Sequence, residues 1–148
     1  MSACLDSWAV LAWLDGQQPA MDRVSEVITS RPVISWINLV EVYCRLERDH
    51  GRDQADQTLS ELRATLAPDL PGTARMIEAA RLKARAAIAL ADCFAATTAA
   101  AHGLTLMTGD PELLELDDPP CALEDLRRPA GRGGRGEEPA GGLEPPRP

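Results

Sequence analysis

LADCFAATTAAAHGLTLMTGD, residues 90–110, sets the architecture of this chain. Asp92 opens an Ala-rich helical run, and Gly103 ends it, glycine being the residue that most easily takes the left-handed stop conformation. The apolar stretch Leu104 to Met107 reads as a short buried strand. Thr108-Gly109-Asp110-Pro111 reads as a turn at its far end. One acid thus stands at a helix start and a second just past a strand end. In an open parallel α/β sheet both places face one crevice, outside the carboxyl ends of the strands.

Toward the N-terminus, residues 73–102 hold neither Gly nor Pro, so periodicity alone gives a single helix too long for a compact domain. Asp92 suits a helix start better than an interior, which predicts a break near Ala86–Leu90 and helices over 73–85 and 91–102. Before it lie two amphipathic helices, Asp53 to Leu66 (Ala55, Leu59, Leu62, Leu66) and Asn38 to Arg48 (Leu39, Val42, Tyr43, Leu46). Pro68 and Pro71 allow at most a vestigial edge strand between them. Val33-Ile34-Ser35 restarts the chain as a strand after Pro32, and Met21 to Ser30 reads as a helix. Ala3-Cys4-Leu5 is a first buried strand, Ser7 to Leu14 a helix stopped by Gly16, and Asp6 falls in the joint. On the C-terminal side the chain is Pro-interrupted, and Leu114 to Leu116 is expected to add a last strand. This order predicts an α/β fold, a small parallel sheet with helices on both faces as a three-layer α/β/α sandwich.

The 148 residues make one domain at most. Residues 1–127 are expected to form it. The tail 128–148, RPAGRGGRGEEPAGGLEPPRP, is expected to be disordered, since Leu143 is its only large apolar residue. Its GRGGRG is a weak match to RNA-binding RGG segments. The net charge is −8, and the tail's four Arg against three Glu leave the body near −9. Such a body argues against nucleic-acid binding by charge alone and suits a basic partner, or a site where metal ions supply the positive charge. Cys4, Cys44, Cys93 and Cys121 show no metal spacing and are read as small apolar fillers in a reduced, cytoplasmic protein. No secretory signal or membrane span is expected.

Asp6, Glu41, Asp92 and Asp110 each follow a strand or open a helix. If the strands are parallel neighbours, all converge in one crevice. Bare carboxylates so close would repel and take up protons; a hard divalent cation, Mg²⁺ or Mn²⁺, relieves that and prefers oxygen ligands. Such a site can polarise a phosphodiester and activate water, with a carboxylate as general base. Singly, each acid also fits a structural role: Asp6 and Asp92 as helix caps, Asp110 as a turn residue, Glu41 as a solvated side chain. Ser7 and Thr108 flank the crevice and can hydrogen-bond a carboxylate; Asn38 can do the same or cap its helix. His50 and His102 are read as helix-end residues, and Trp8, Trp13 and Trp36 as core or interface rather than base-stacking residues. The Arg-rich faces (Arg45, Arg48, Arg75, Arg81, Arg85) read mainly as solvated. A dehalogenase- or receiver-like phosphotransfer domain would need paired acids after strand one and a late Lys; here strand one ends in Asp6-Ser7-Trp8, and the only Lys is Lys83.

LDSWAVLAWL (5–14), NLVEV (38–42), LADCFAATTA (90–99) and LMTGD (106–110) resemble, in order and spacing, the four signature blocks of the PIN-domain nucleases. Within them the chain is most similar to the VapC-type toxins of bacterial toxin–antitoxin pairs, over about residues 3–117. The resemblance implies a small α/β/α sandwich and Mg²⁺- or Mn²⁺-dependent endoribonuclease activity. Asp6 and Asp92 would be the principal metal ligands. Glu41 and Asp110 would complete the cluster, with Ser7 and Thr108 at supporting positions. It also implies an RNA substrate, a homodimer and a cognate antitoxin laid over the groove. A PIN-like module that docks RNA or protein without cutting is the alternative, and an incomplete cluster would mark it.

Overall fold

The computed structural model describes residues 3–129. Its elements run β1 (Ala3–Leu5), α1 (Ser7–Leu14), α2 (Ala20–Ile28), β2 (Val33–Ser35), α3 (Trp36–His50), α4 (Arg52–Thr65), β3 (Ala67–Asp69), α5 (Thr73–Arg85), α6 (Leu90–His102), β4 (Thr105–Thr108), α7 (Pro111–Leu114) and β5 (Leu123–Asp125). The five strands form one all-parallel sheet in the order β3-β2-β1-β4-β5. β1 sits at the centre, with Leu5 opposite Ile34 on one side and Met107 on the other.

The strands are only three or four residues long, yet alternation along them builds two cores. Leu5, Ile34 and Met107 point to the face covered by α1 to α4, where they meet Val10, Val24 and Leu39. Cys4, Val33 and Leu106 point to the opposite face, against Ala79, Leu82, Phe94 and Ala95 of α5 and α6. The small side chains of α6 let it lie close on the sheet: Ala95, Ala96, Thr98 and Ala99 are fully buried. The predicted three-layer α/β/α sandwich is thus present.

The break expected before Asp92 is there. α5 ends at Arg85, α6 begins at Leu90, and the joint is pinned by buried Ile88, whose carbonyl accepts a hydrogen bond from Lys83 Nζ at 2.6 Å. β3 lies at the sheet edge, which tolerates Pro68. The last strand is a correction. Leu114 to Leu116 is not a strand, because Asp110 caps and Pro111 starts a short helix that puts Leu113 fully into the core. The edge beside β4 is filled instead by Leu123–Asp125, with Leu123 opposite Leu106. The cysteines need a correction too: Cys4 and Cys93 are buried, but Cys44 is exposed, since it lies off the Leu39/Val42/Leu46 stripe of α3. No helix among the described residues is long and apolar enough to cross a membrane. The tail expected to be disordered lies, beyond Pro129, outside the described residues.

Candidate metal centre

Asp6 follows β1 and caps α1. Its Oδ1 accepts from Ala9 N–H at 2.8 Å, satisfying one of the free amides of the first turn. Its Oδ2 accepts from the Thr108 hydroxyl, and Thr108 Oγ1 in turn accepts from Asp110 N–H at 3.0 Å. This chain of hydrogen bonds ties the turn after β4 to the end of β1, as the register Leu5↔Met107 allows. Asp110 then caps α7, its Oδ1 accepting from Glu112 N–H at 3.0 Å.

Glu41 reaches the same place from α3 by a second chain. Asn38 is fully buried and donates from Nδ2 to Ser7 Oγ at 3.1 Å and to the Ala91 carbonyl at 3.4 Å. Ser7 Oγ donates onward to Glu41 Oε1. Three helices, α1, α3 and α6, are therefore joined by one amide and one hydroxyl. Glu41 stays solvent-exposed at its own position on α3, but its carboxylate is drawn over the crevice.

Asp92, the third residue of α6, is 7% exposed. Asp6, Glu41, Asp92 and Asp110 all line one open cleft of about 520 Å³, together with Ser7. A larger recess, about 620 Å³ beside Trp36 and Arg63, holds Asp56 as its only acid. Glu112 joins two of these acids, beyond the four expected from the sequence: Asp92, Asp110 and Glu112 each bring an oxygen within 4.8 Å of the other two. The signal for Glu112 was present in Asp110-Pro111-Glu112, a cap, a helix-starting proline and an acid in the first turn. That turn puts two acids at one helix start.

Burial pushes Asp6 up to about 7, against the opposing hydrogen bonds from Thr108 and Ala9 and with help from the charges of Asp110 and Glu41. Burial also raises Asp92, to about 8, and the neighbouring Asp110 and Asp6 carboxylates add to it. The cluster thus holds its negative charge at a cost. Every converging donor is a hard carboxylate oxygen and none is a thiolate or imidazole. That donor set fits a divalent cation of the Mg²⁺ or Mn²⁺ class.

Several other polar residues have partners elsewhere. His102 Nε2 lies 2.7 Å from Asp69 Oδ2, and Arg75 pairs with Asp69 at 2.9 Å and donates to Thr98 Oγ1. Arg45 pairs with Asp49, and Arg85 donates to the carbonyls of Asp117 and Asp118.

The sequence profile of the PIN domain matches residues 3–119. No curated protein sequence matches the chain. Among solved structures, it is similar to DNA-bound VapBC from Salmonella typhimurium, with 20% identity, 85% of this chain and 98% of that chain covered, and a TM-score of 0.69. VapBC2 from Rickettsia felis bound to a promoter DNA fragment gives 18%, 84%, 98% and 0.67 in the same terms. A toxin–antitoxin complex from Klebsiella pneumoniae gives 20%, 82%, 99% and 0.66. At these identities the likeness is one of fold. With that fold, the acids at the carboxyl edge of its sheet and the profile match over nearly all of the described chain, the protein belongs to the PIN domain family.

Proposed function

We propose that the protein is a Mg²⁺- or Mn²⁺-dependent endoribonuclease and the toxin of a toxin–antitoxin pair. The observation that carries this reading is the convergence of Asp6, Glu41, Asp92 and Asp110 from four separate segments on one cleft, where burial and mutual repulsion raise Asp6 and Asp92. Asp92 and Asp110, with Asp6, would hold the cation, and Glu41 would complete the set. When bound, the cation supplies Lewis acidity to a phosphodiester and charge to its leaving oxygen. The chain's own residues do the rest. Thr108 holds Asp6 in place, Ser7 and Asn38 aim Glu41, and Glu41, the most exposed of the four, is placed to take a proton from attacking water.

The toxin assignment draws on the likeness to structures described as VapBC and as toxin–antitoxin complexes. It brings with it a cognate antitoxin that covers the cleft, a homodimer and a cytoplasmic site of action. The test is Asp92→Asn. RNA cleavage in Mg²⁺ and growth arrest on expression should both be lost, by at least about a hundredfold for cleavage, while the circular dichroism stays that of the parent. A variant that cuts RNA as the parent does ends the catalytic assignment.

A further inference from the structure

A cleft lined with carboxylates has little of its own with which to hold an anionic chain. Neither Lys nor Arg lines it. Its walls offer apolar surface instead, from Trp8, Leu11, Ala89 and Pro111, and Trp8 is the aromatic one.

Trp8 stands one residue after Ser7 and two after Asp6, on the first turn of α1. A Cβ added to Gly109 would fall 2.4, 2.3 and 2.5 Å from Cζ2, Cη2 and Cζ3 of the indole. Those near-equal distances place the added carbon over the face of the six-membered ring. Beyond the rim, the two flanking atoms would be distinctly farther than Cη2. Glycine is therefore needed at 109 for a close approach of backbone to ring. The turn between Thr108 and Asp110 rests against the indole, and Trp8 is half-buried with its inner part packed on the core. The indole also lines the acid cleft. A ring held by backbone on one side loses little freedom when something flat packs on the rest of it.

We propose, resting on the ribonuclease reading above and replacing the core or interface role its sequence context suggested, that Trp8 is a stacking platform for a nucleobase next to the phosphodiester held at the acids. The cleft then takes single-stranded RNA through a base face, since paired and stacked bases do not offer one. Affinity comes from the cation and the base together, not from phosphate-binding side chains.

The test compares a nuclease-resistant, randomised 2′-O-methyl phosphorothioate heptamer with an abasic heptamer of the same backbone, both in Mg²⁺. The parent should bind the base-containing heptamer about tenfold more tightly, the scale of one stacked base. Trp8→Ala should erase that difference and Trp8→Phe should keep most of it, with Mg²⁺ affinity by calorimetry unchanged in both. In a Trp13→Phe/Trp36→Phe background, where Trp8 is the sole indole, the base-containing heptamer alone should quench fluorescence. Equal binding of the two heptamers by the parent, or discrimination that survives Trp8→Ala, overturns the platform; if Mg²⁺-dependent RNA cleavage persists beside it, the nuclease reading stands. A parent that neither binds nor cuts RNA overturns both.

Discussion

Asp6 does three things with two oxygens: it caps α1 through Ala9, anchors the β4 turn through Thr108 and lines the acid cleft. The first two need only an acceptor of the right shape, whereas the third needs charge. Asp6→Asn keeps the shape and an acceptor for Ala9 N–H, turns the Thr108 contact round so that the hydroxyl accepts from the amide, and removes the charge. Without metal at about pH 8, where the carboxylate is ionised at the expense of stability, this variant should melt several degrees above the parent, while RNA cleavage is lost. Parallel melting curves and cleavage assays check it, and a lower melting point would mean that the carboxylate, through its charge or as acceptor of the Thr108 hydroxyl, supports the fold. The same separation of shape from charge explains what was legible at this scale. Asp6, Asp92 and Asp110 stand at strand and helix ends, which local patterning marks. Glu41 was placed through its position in a helix-start block, but its aim depends on Ser7 and Asn38, 34 and 3 residues away in sequence and joined only by folding. Glu112 looked like one more turn acid until α7 brought it beside Asp92 and Asp110.

α6 and β4 are where element-level forces are clearest. Eight residues of α6 are buried, most of them Ala or Thr, so its hold on the sheet comes from close backbone approach rather than large side chains. Its end is fixed by Gly103 at φ +63°, whose N–H bonds the Ala100 and Ala99 carbonyls. A Cβ there would meet nothing within 4 Å, so Gly103→Ala probes the left-handed backbone alone. It should cost about 1 kcal/mol, read as a lower urea midpoint with an unchanged slope. An unchanged midpoint would mean that the helix end relaxes without strain. The break between α5 and α6 was legible because Asp is poorly placed inside a helix and well placed at its start. β5 was not legible. Three residues of Leu-Glu-Asp carry almost no periodic signal, and their pairing is set by β4, which offers an open edge opposite Leu106. The 114–116 segment looked like a better strand, but the Asp110-Pro111 start sent it into a helical turn.

At the scale of the molecule, the fold gathers negative charge at one end of the sheet and bears the cost until something positive is bound. Asp6 rises from 3.8 to about 7 and Asp92 from 3.8 to about 8. An acid raised in the folded state binds more protons there than in the unfolded chain between the two values, so stability falls as pH climbs through that window. It is greatest below about pH 4 as far as these two groups decide, and it is lost through pH 7 to 8. The metal-free melting temperature should therefore drop between about pH 5 and pH 8, and millimolar Mg²⁺ or Mn²⁺ should restore it more at pH 8 than at pH 5. A flat metal-free profile, or equal metal effects at both ends, would show that the acids are not mutually strained. The sequence by itself determined the order of elements as far as β4, the parallel sheet with helices on both faces and four of the acids, because periodicity, caps and stops act within a few residues. Only the tertiary structure decided the β4–β5 edge, the membership of Glu112, the aim of Glu41 and the seat of Trp8 on Gly109. Each of those rests on the register of β1 against β4 and on the way α1, α3 and α6 meet above it, relations between distant segments that no local pattern encodes.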